Sequence, residues 1–274
     1  MQMAEMLLLR EAAVLIASAT GAYTDFKTGY IYDWITVPLI LLGAGIDIFE
    51  KDYSGLAIGA AVFAIGFALY YAGKIGGGDV KLYAGIALML PYYNGIFVLS
   101  AALLAALSAV VFFSTYYTIK YLRRGIDLKY NEAGIRRAIM LLIIIGAYMY
   151  FLLGSGFAGS GYIALVGVPI LFGTVFLALE RGIRKEFFLQ KVRTESLEDD
   201  EIIALDFMDG DKVKKMQAGF KGVIGEKEKK EMIGAGIDEV MVYRNLPRFG
   251  PFIFLGVLLA ILMPGIGQIA LMGT

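Results

Sequence analysis

Residues 54 to 73 are almost wholly apolar, and so are residues 82 to 90. An uncharged run of about twenty residues is what a helix needs to cross a bilayer, whose hydrocarbon core is ~30 Å thick. Between the two runs stands Gly76-Gly77-Gly78-Asp79-Val80-Lys81. A carboxylate at the edge of a hydrocarbon slab is costly, which makes Asp79 a functional candidate by default. The bland alternative is a helix N-cap, for which Asp is well suited, with the glycines forming the turn before it.

Similar apolar runs recur along the 274 residues, 58% of which are hydrophobic, and the mean hydropathy is +0.69. Soluble domains are nearer half apolar and rarely repeat such runs. The expected fold class is therefore an all-α polytopic membrane protein, with the lipid bilayer as its solvent. The formal net charge is zero, so nothing argues for a nucleic-acid partner. Two absences narrow the chemistry, since the chain has no Cys and no His. Disulfides, thiol nucleophiles, thiolate metal sites and a Ser–His dyad are excluded, and the commonest general base and metal ligand is missing. Acids and bases are left to Asp, Glu, Lys and Tyr, and no metal or cofactor is expected. The first residues lack a basic leader followed by a small-residue cleavage pattern, so the first apolar run is expected to remain as a span.

About eight membrane helices are expected. The first runs from about Met6 to Tyr23 and closes with the polar turn Thr24-Asp25-Phe26-Lys27-Thr28-Gly29, which puts Asp25 at the membrane boundary. Asp33 opens the second, which extends to about Phe49, and Ser54 to Gly73 form the third. The fourth, Asp79 to about Leu90, is only about 18 Å long at 1.5 Å per residue. Its shortness places the non-helical glycine segment partly at membrane depth, where irregular backbone must be buried in protein or line a wet cavity. Further spans are expected near residues 96–119, 138–153, 162–179 and 249–263. Residues 186–247 read as a small soluble α/β insertion, with strand character at Glu201–Leu205 and Val240–Tyr243 and a solvated helix at Glu226–Glu231. The expected units are a catalytic membrane core at 1–119, further membrane helices at 120–185, the insertion at 186–247, and a C-terminal membrane helix at 248–274.

Lys and Arg give the orientation. The loops after spans one, three, five and seven carry Lys27, Lys74, the basic run Lys120 to Arg137 and the Arg181 cluster, whereas the opposite loops hold only Lys51. The positive-inside rule then puts both termini outside and both Asp25 and Asp79 on the cytoplasmic side. Two carboxylates facing each other in one cavity cannot both ionise easily and share a proton. The ionised member can take a proton from water while the other polarises a peptide carbonyl. This aspartic-protease chemistry requires neither His, Cys nor metal. The glycines would let an extended substrate approach closely.

These residues resemble a known family. Gly76-Gly77-Gly78-Asp79 matches the Gly-x-Gly-Asp signature of intramembrane aspartic proteases, and Gly78-Asp79-Val80-Lys81-Leu82 matches the form in type IV prepilin and archaeal preflagellin peptidases. The stretch from Asp25 to Asp33 looks like the first motif of that family, departing at Tyr32 where Pro is common. The resemblance implies catalytic roles for Asp25 and Asp79, and motif or substrate-positioning roles for Gly76, Gly77, Gly78, Lys81 and Asp33. A snorkelling interface lysine is the bland reading of Lys81. Lacking cysteines and a long loop after the first span, the chain looks more like the archaeal, peptidase-only branch. Its implied partners are pilin or archaellin precursors, cut between a short basic leader and the hydrophobic helix at the cytoplasmic face of the cell membrane. The oligomeric state is left open.

Three other readings compete. Tyr32-Asp33 imitates the Tyr-Asp motif of presenilin-like proteases, but their Pro-Ala-Leu motif is absent. Intramembrane carboxylates beside a broken helix also mark ion and proton-coupled transporters, although no internal repeat accompanies them here. A non-catalytic scaffold would reduce both aspartates to incidental caps.

Overall fold

The computed structural model describes residues 2–93, 95–157, 159–198, 201–208, 210, 224–244 and 246–265. The chain is mostly helical, with one small sheet late in the sequence. Seven helices come first: α1 (Gln2–Thr28), α2 (Asp33–Glu50), α3 (Tyr53–Tyr71), α4 (Gly77–Met89), α5 (Phe97–Leu122), α6 (Glu132–Ser155) and α7 (Ser160–Phe187). Among the described residues five stretches are long and apolar enough to cross a membrane: Glu5–Thr28 of α1, and α3, α5, α6 and α7. Helices α2 and α4, and a closing helix at Gly250–Leu262, are shorter. Length and composition thus qualify five spans where the sequence suggests about eight.

Helix α4 is the centre of the bundle. Every residue from Leu82 to Met89 is buried, on all sides of the helix, because α2 and α3 lie against it and α1 and α5 complete the enclosure. A helix apolar all round belongs in the interior. Its glycine and its neighbours' glycines allow this. A Cβ on Gly85 would stand 2.8 Å from Leu39 of α2, and one on Gly43 of α2 would stand 2.9 Å from the Leu88 carbonyl carbon. The main core joins Val14, Ile35, Leu39, Leu82, Ile86, Phe97, Ala101, Ile253 and Val257, from α1, α2, α4, α5 and the closing helix. Helices α3 and α6, by contrast, leave most of their large apolar side chains exposed, as lipid-facing helices do.

After α7 the chain forms an antiparallel sheet of order β1-β3-β2, with β1 at Leu189–Arg193, β2 at Ile202–Ile203 and β3 at Glu239–Tyr243. Leu189 pairs with Tyr243 and Arg193 with Glu239, while Ile202 also pairs with Tyr243. A helix at Glu226–Gly234 covers the sheet, and Leu197, Ile203, Ile224, Met232, Ile237, Val240 and Val242 form a small separate core. Residues 211–223 of the expected insertion, and 266–274 of the expected C-terminal membrane helix, lie outside the described residues.

Three local expectations change. The polar turn at the end of the first span is helical through Thr28, and the Thr24 and Thr28 hydroxyls find partners within it, donating back to the carbonyls of Gly21 (3.1 Å) and Thr24 (2.8 Å). The helix stops only at Gly29, whose φ of 83° is left-handed. The glycine segment is likewise helical from Gly77, so only residues 72–76 are irregular. Strand β1 was not expected at all. Its sequence Leu-Gln-Lys-Val-Arg is half charged or amide-bearing, and its extended state comes from pairing with β3 some fifty residues later.

Candidate active site

The antiparallel run of α1 to α4 gathers the C-terminus of α1, the N-terminus of α2, the C-terminus of α3 and the N-terminus of α4 at one end of the bundle. Asp25 lies in the last turn of α1, Asp33 is the first residue of α2, and Asp79 lies in the first turn of α4. Gly76, with extended backbone, is the N-cap of α4, and the Asp79 carboxylate three residues on accepts from the Gly76 backbone N–H, so Asp79 contributes to the cap from N3. The α1–α2 loop is drawn against α4 at one point. A Cβ on Gly78 would lie 2.7 Å from the Ile31 carbonyl oxygen, so the bare face of Gly78 is filled by the chain itself. Gly77 faces Tyr70 of α3, and Gly76 lies against the Asp79 carboxylate.

Asp25 and Asp79 are within electrostatic range of each other. Asp25 is buried and Asp79 half-buried, and among the described residues neither forms an ion pair with a cationic side chain. Asp25 is instead held by backbone. Its Oδ2 accepts a 2.8 Å hydrogen bond from the Gly250 N–H, the first amide of the closing helix. A helix start leaves its first N–H groups without internal partners, and its dipole is positive there, so a carboxylate is a favourable partner. Arg248 donates to the carbonyl oxygens of Asp25, at 2.9 Å, and of Phe26, at the end of α1; the Asp25 carbonyl also accepts the Gly29 N–H at 2.8 Å, so the guanidinium is its second donor.

Lys81 is not directed at either aspartate of this pair. Its ammonium meets the Asp33 carboxylate at 2.6 Å and ties α4 to the start of α2, on an exposed rim. Phe26, Tyr30, Tyr32 and Trp34 are exposed around the same loop, aromatic residues of the kind that settle at a membrane–water interface. No cluster of metal-binding side chains exists among the described residues.

Sequence reading missed Arg248 and Gly250. They lie more than 220 positions from Asp25, beyond the insertion, and no local motif marks them. The one available signal was an Arg and a Gly immediately before an apolar run, which reads as an ordinary interface.

Residues 12–116, the segment that carries both aspartates, match the type IV leader peptidase family (Peptidase A24). The chain is also 32% identical over 94 residues to the prepilin peptidase EppA of Methanothermobacter thermautotrophicus. That similarity covers 31% of this chain and spans 24% of the length of the relative. No solved structure matches the chain significantly.

Proposed function

We propose that this protein is a multi-pass aspartic endopeptidase of the cell membrane that removes short leader peptides from pilin or archaellin precursors. The observation that carries the reading is the family match over residues 12–116, the segment that also holds Asp25 and Asp79 at one end of the bundle within electrostatic range of each other. In the proposed mechanism the two carboxylates, which have no cationic partner among the described residues, share one proton. The ionised member takes a proton from water as the water oxygen attacks the scissile carbonyl carbon. The protonated member donates to the carbonyl oxygen, giving a tetrahedral diol. Collapse of the diol breaks the C–N bond, a proton passes to the departing nitrogen, and a carboxylate and an amine are released. Exposed aromatic side chains around the α1–α2 loop support a site at the interface, where a precursor helix lying in lipid would present its leader junction. The positive-inside count supports a cytoplasmic site and outward termini.

The test is incubation of the purified protein with leader-bearing pilin and archaellin precursors, with the new N-terminus read by sequencing. Cleavage at the junction between leader and apolar helix is expected, and Asp25→Asn or Asp79→Asn should each lower the rate by about 10²–10⁴-fold. Wild-type cleavage by either variant would remove the aspartate-pair mechanism.

A further inference from the structure

The family match ends at residue 116, yet Asp25 receives its contacts from residues 248 and 250. We propose that Arg248 and Gly250 are positioning residues of the active site, so that the aspartate pair is completed by the segment following the soluble insertion. This inference rests on Asp25 being one of the reacting carboxylates.

Four observations converge on it. The Gly250 N–H binds Oδ2 of Asp25, while Oδ1 accepts no hydrogen bond among the described residues. One oxygen is thereby tethered and the other left for water and for Asp79. Gly250 has no room for a side chain, because a Cβ there would stand 2.8 Å from the Asp25 Cβ and 2.9 Å from its Oδ2. Arg248 grips the carbonyls of Asp25 and Phe26, fixing the last turn of α1 against the same segment. The closing helix is itself firmly placed. Ile253 and Val257 are fully buried, and Gly256 rests on the backbone of α5 at Ala101 and Ala105. Its first amide is thus a fixed point, and the carboxylate is aligned to it.

The insertion delivers this segment to the site. Strand β3 returns the chain to the end of α7, where the Arg244 N–H donates to the Phe188 carbonyl at 2.8 Å and Tyr243 packs against the cluster of Tyr121, Leu179, Ile183 and Phe188. Four residues after Arg244 comes Arg248. The sheet therefore sets where the closing helix begins, which gives residues 186–247 a consequence at Asp25.

A purely structural role would lower the folded amount or the Tm and leave turnover per folded molecule unchanged. A positioning role lowers kcat and spares KM, because misplacing a reacting group by about 1 Å costs up to about 10²-fold. The experiment compares the whole wild-type chain with Gly250→Ala, Arg248→Gln and Arg248→Lys, with Glu132→Gln, exposed at the start of α6, as a distant control and Asp25→Asn alongside. Cleavage of a leader-bearing precursor is measured per folded molecule, together with thermal unfolding. The expected result is a kcat lowered about 10²-fold in Gly250→Ala and reduced in Arg248→Gln, with KM nearly unchanged. Partial recovery is expected in Arg248→Lys, whose ammonium can still donate to the two carbonyls. If Gly250→Ala does not fold, the Arg248 pair decides by the same criterion. Wild-type kcat in the folded variants, beside an inactive Asp25→Asn, overturns the inference and leaves the peptidase reading standing. Normal cleavage by Asp25→Asn overturns both.

Discussion

The two ends of α4 handle buried charge in opposite ways. At its C-terminal end, Arg10 of α1 bonds Asp47 Oδ1 through both terminal nitrogens at 3.1 Å and Glu50 at 2.9 Å, and donates to the Met89 carbonyl at 3.0 Å. Arg10 is 7% exposed and Asp47 wholly buried, and a cationic side chain at a helix C-terminus also suits the dipole. At the N-terminal end, Asp25 and Asp79 lie within electrostatic range of each other, neither is paired with a cationic side chain among the described residues, and Oδ2 of Asp25 is bound by the Gly250 amide. The first end sets one guanidinium against two carboxylates and ties α1, α2 and α4 together. The second has no such cation among the described residues, and carboxylates grouped in this way are a common feature of reactive sites. The contrast is between Asp47, buried against a guanidinium with its Oδ2 unpartnered among the described residues, and Asp25 with Asp79, which lack such a partner and which the proposed mechanism makes the reacting groups.

Breaking the paired end should have the largest effect. Arg10→Met leaves Asp47 buried without its partner and should destabilise the protein by about 3–5 kcal/mol, measured by unfolding in detergent. Adding Asp47→Leu should recover much of that loss, since replacing a whole buried pair with apolar groups is often neutral. Failure of the double variant to recover would show that the Arg10 contacts to Glu50 and the α4 carbonyls matter more than the ion pair. Disturbing the unpaired end sterically comes next. Gly78→Ala places a methyl against the Ile31 backbone, and overpacking of this kind costs about 1–3 kcal/mol. Because Gly78 adjoins Asp79, its cleavage rate should fall by more than the loss of folded protein explains. The smallest effect belongs to the rim. The Lys81–Asp33 pair is solvent-exposed, so Lys81→Met should change stability by no more than about 1 kcal/mol. A large loss of cleavage in a stable Lys81→Met protein would extend the unpaired, reactive end to include this lysine.

Much of this was legible beforehand. The helix starting at Asp33, the shortness of α4, and strands at Ile202–Ile203 and Glu239–Tyr243 follow from local pattern, because apolar runs, turn residues and alternation act over a few residues. Both aspartates were found because the lipid setting makes an isolated carboxylate conspicuous. Arg10, whose neighbour Glu11 suggests an interface position, is buried instead, and Asp47 carries no local signal at all. Only folding shows that they bury each other. Gly78 was expected to leave space for substrate, and Ile31 fills that space.

The sequence by itself determined that the chain is built from membrane-type helices and that acid–base chemistry without Cys or His falls to Asp, Glu, Lys or Tyr, and it made Asp25 and Asp79 the candidate pair. Those conclusions depend on composition and on short stretches, which constrain a chain whatever its long-range contacts. The tertiary structure decided what surrounds the pair. It brought the amide of Gly250 and the guanidinium of Arg248 across more than 220 residues to Asp25, and Arg10 to the far end of α4. Such partners are fixed by packing between helices distant in sequence, and no local period or spacing records them.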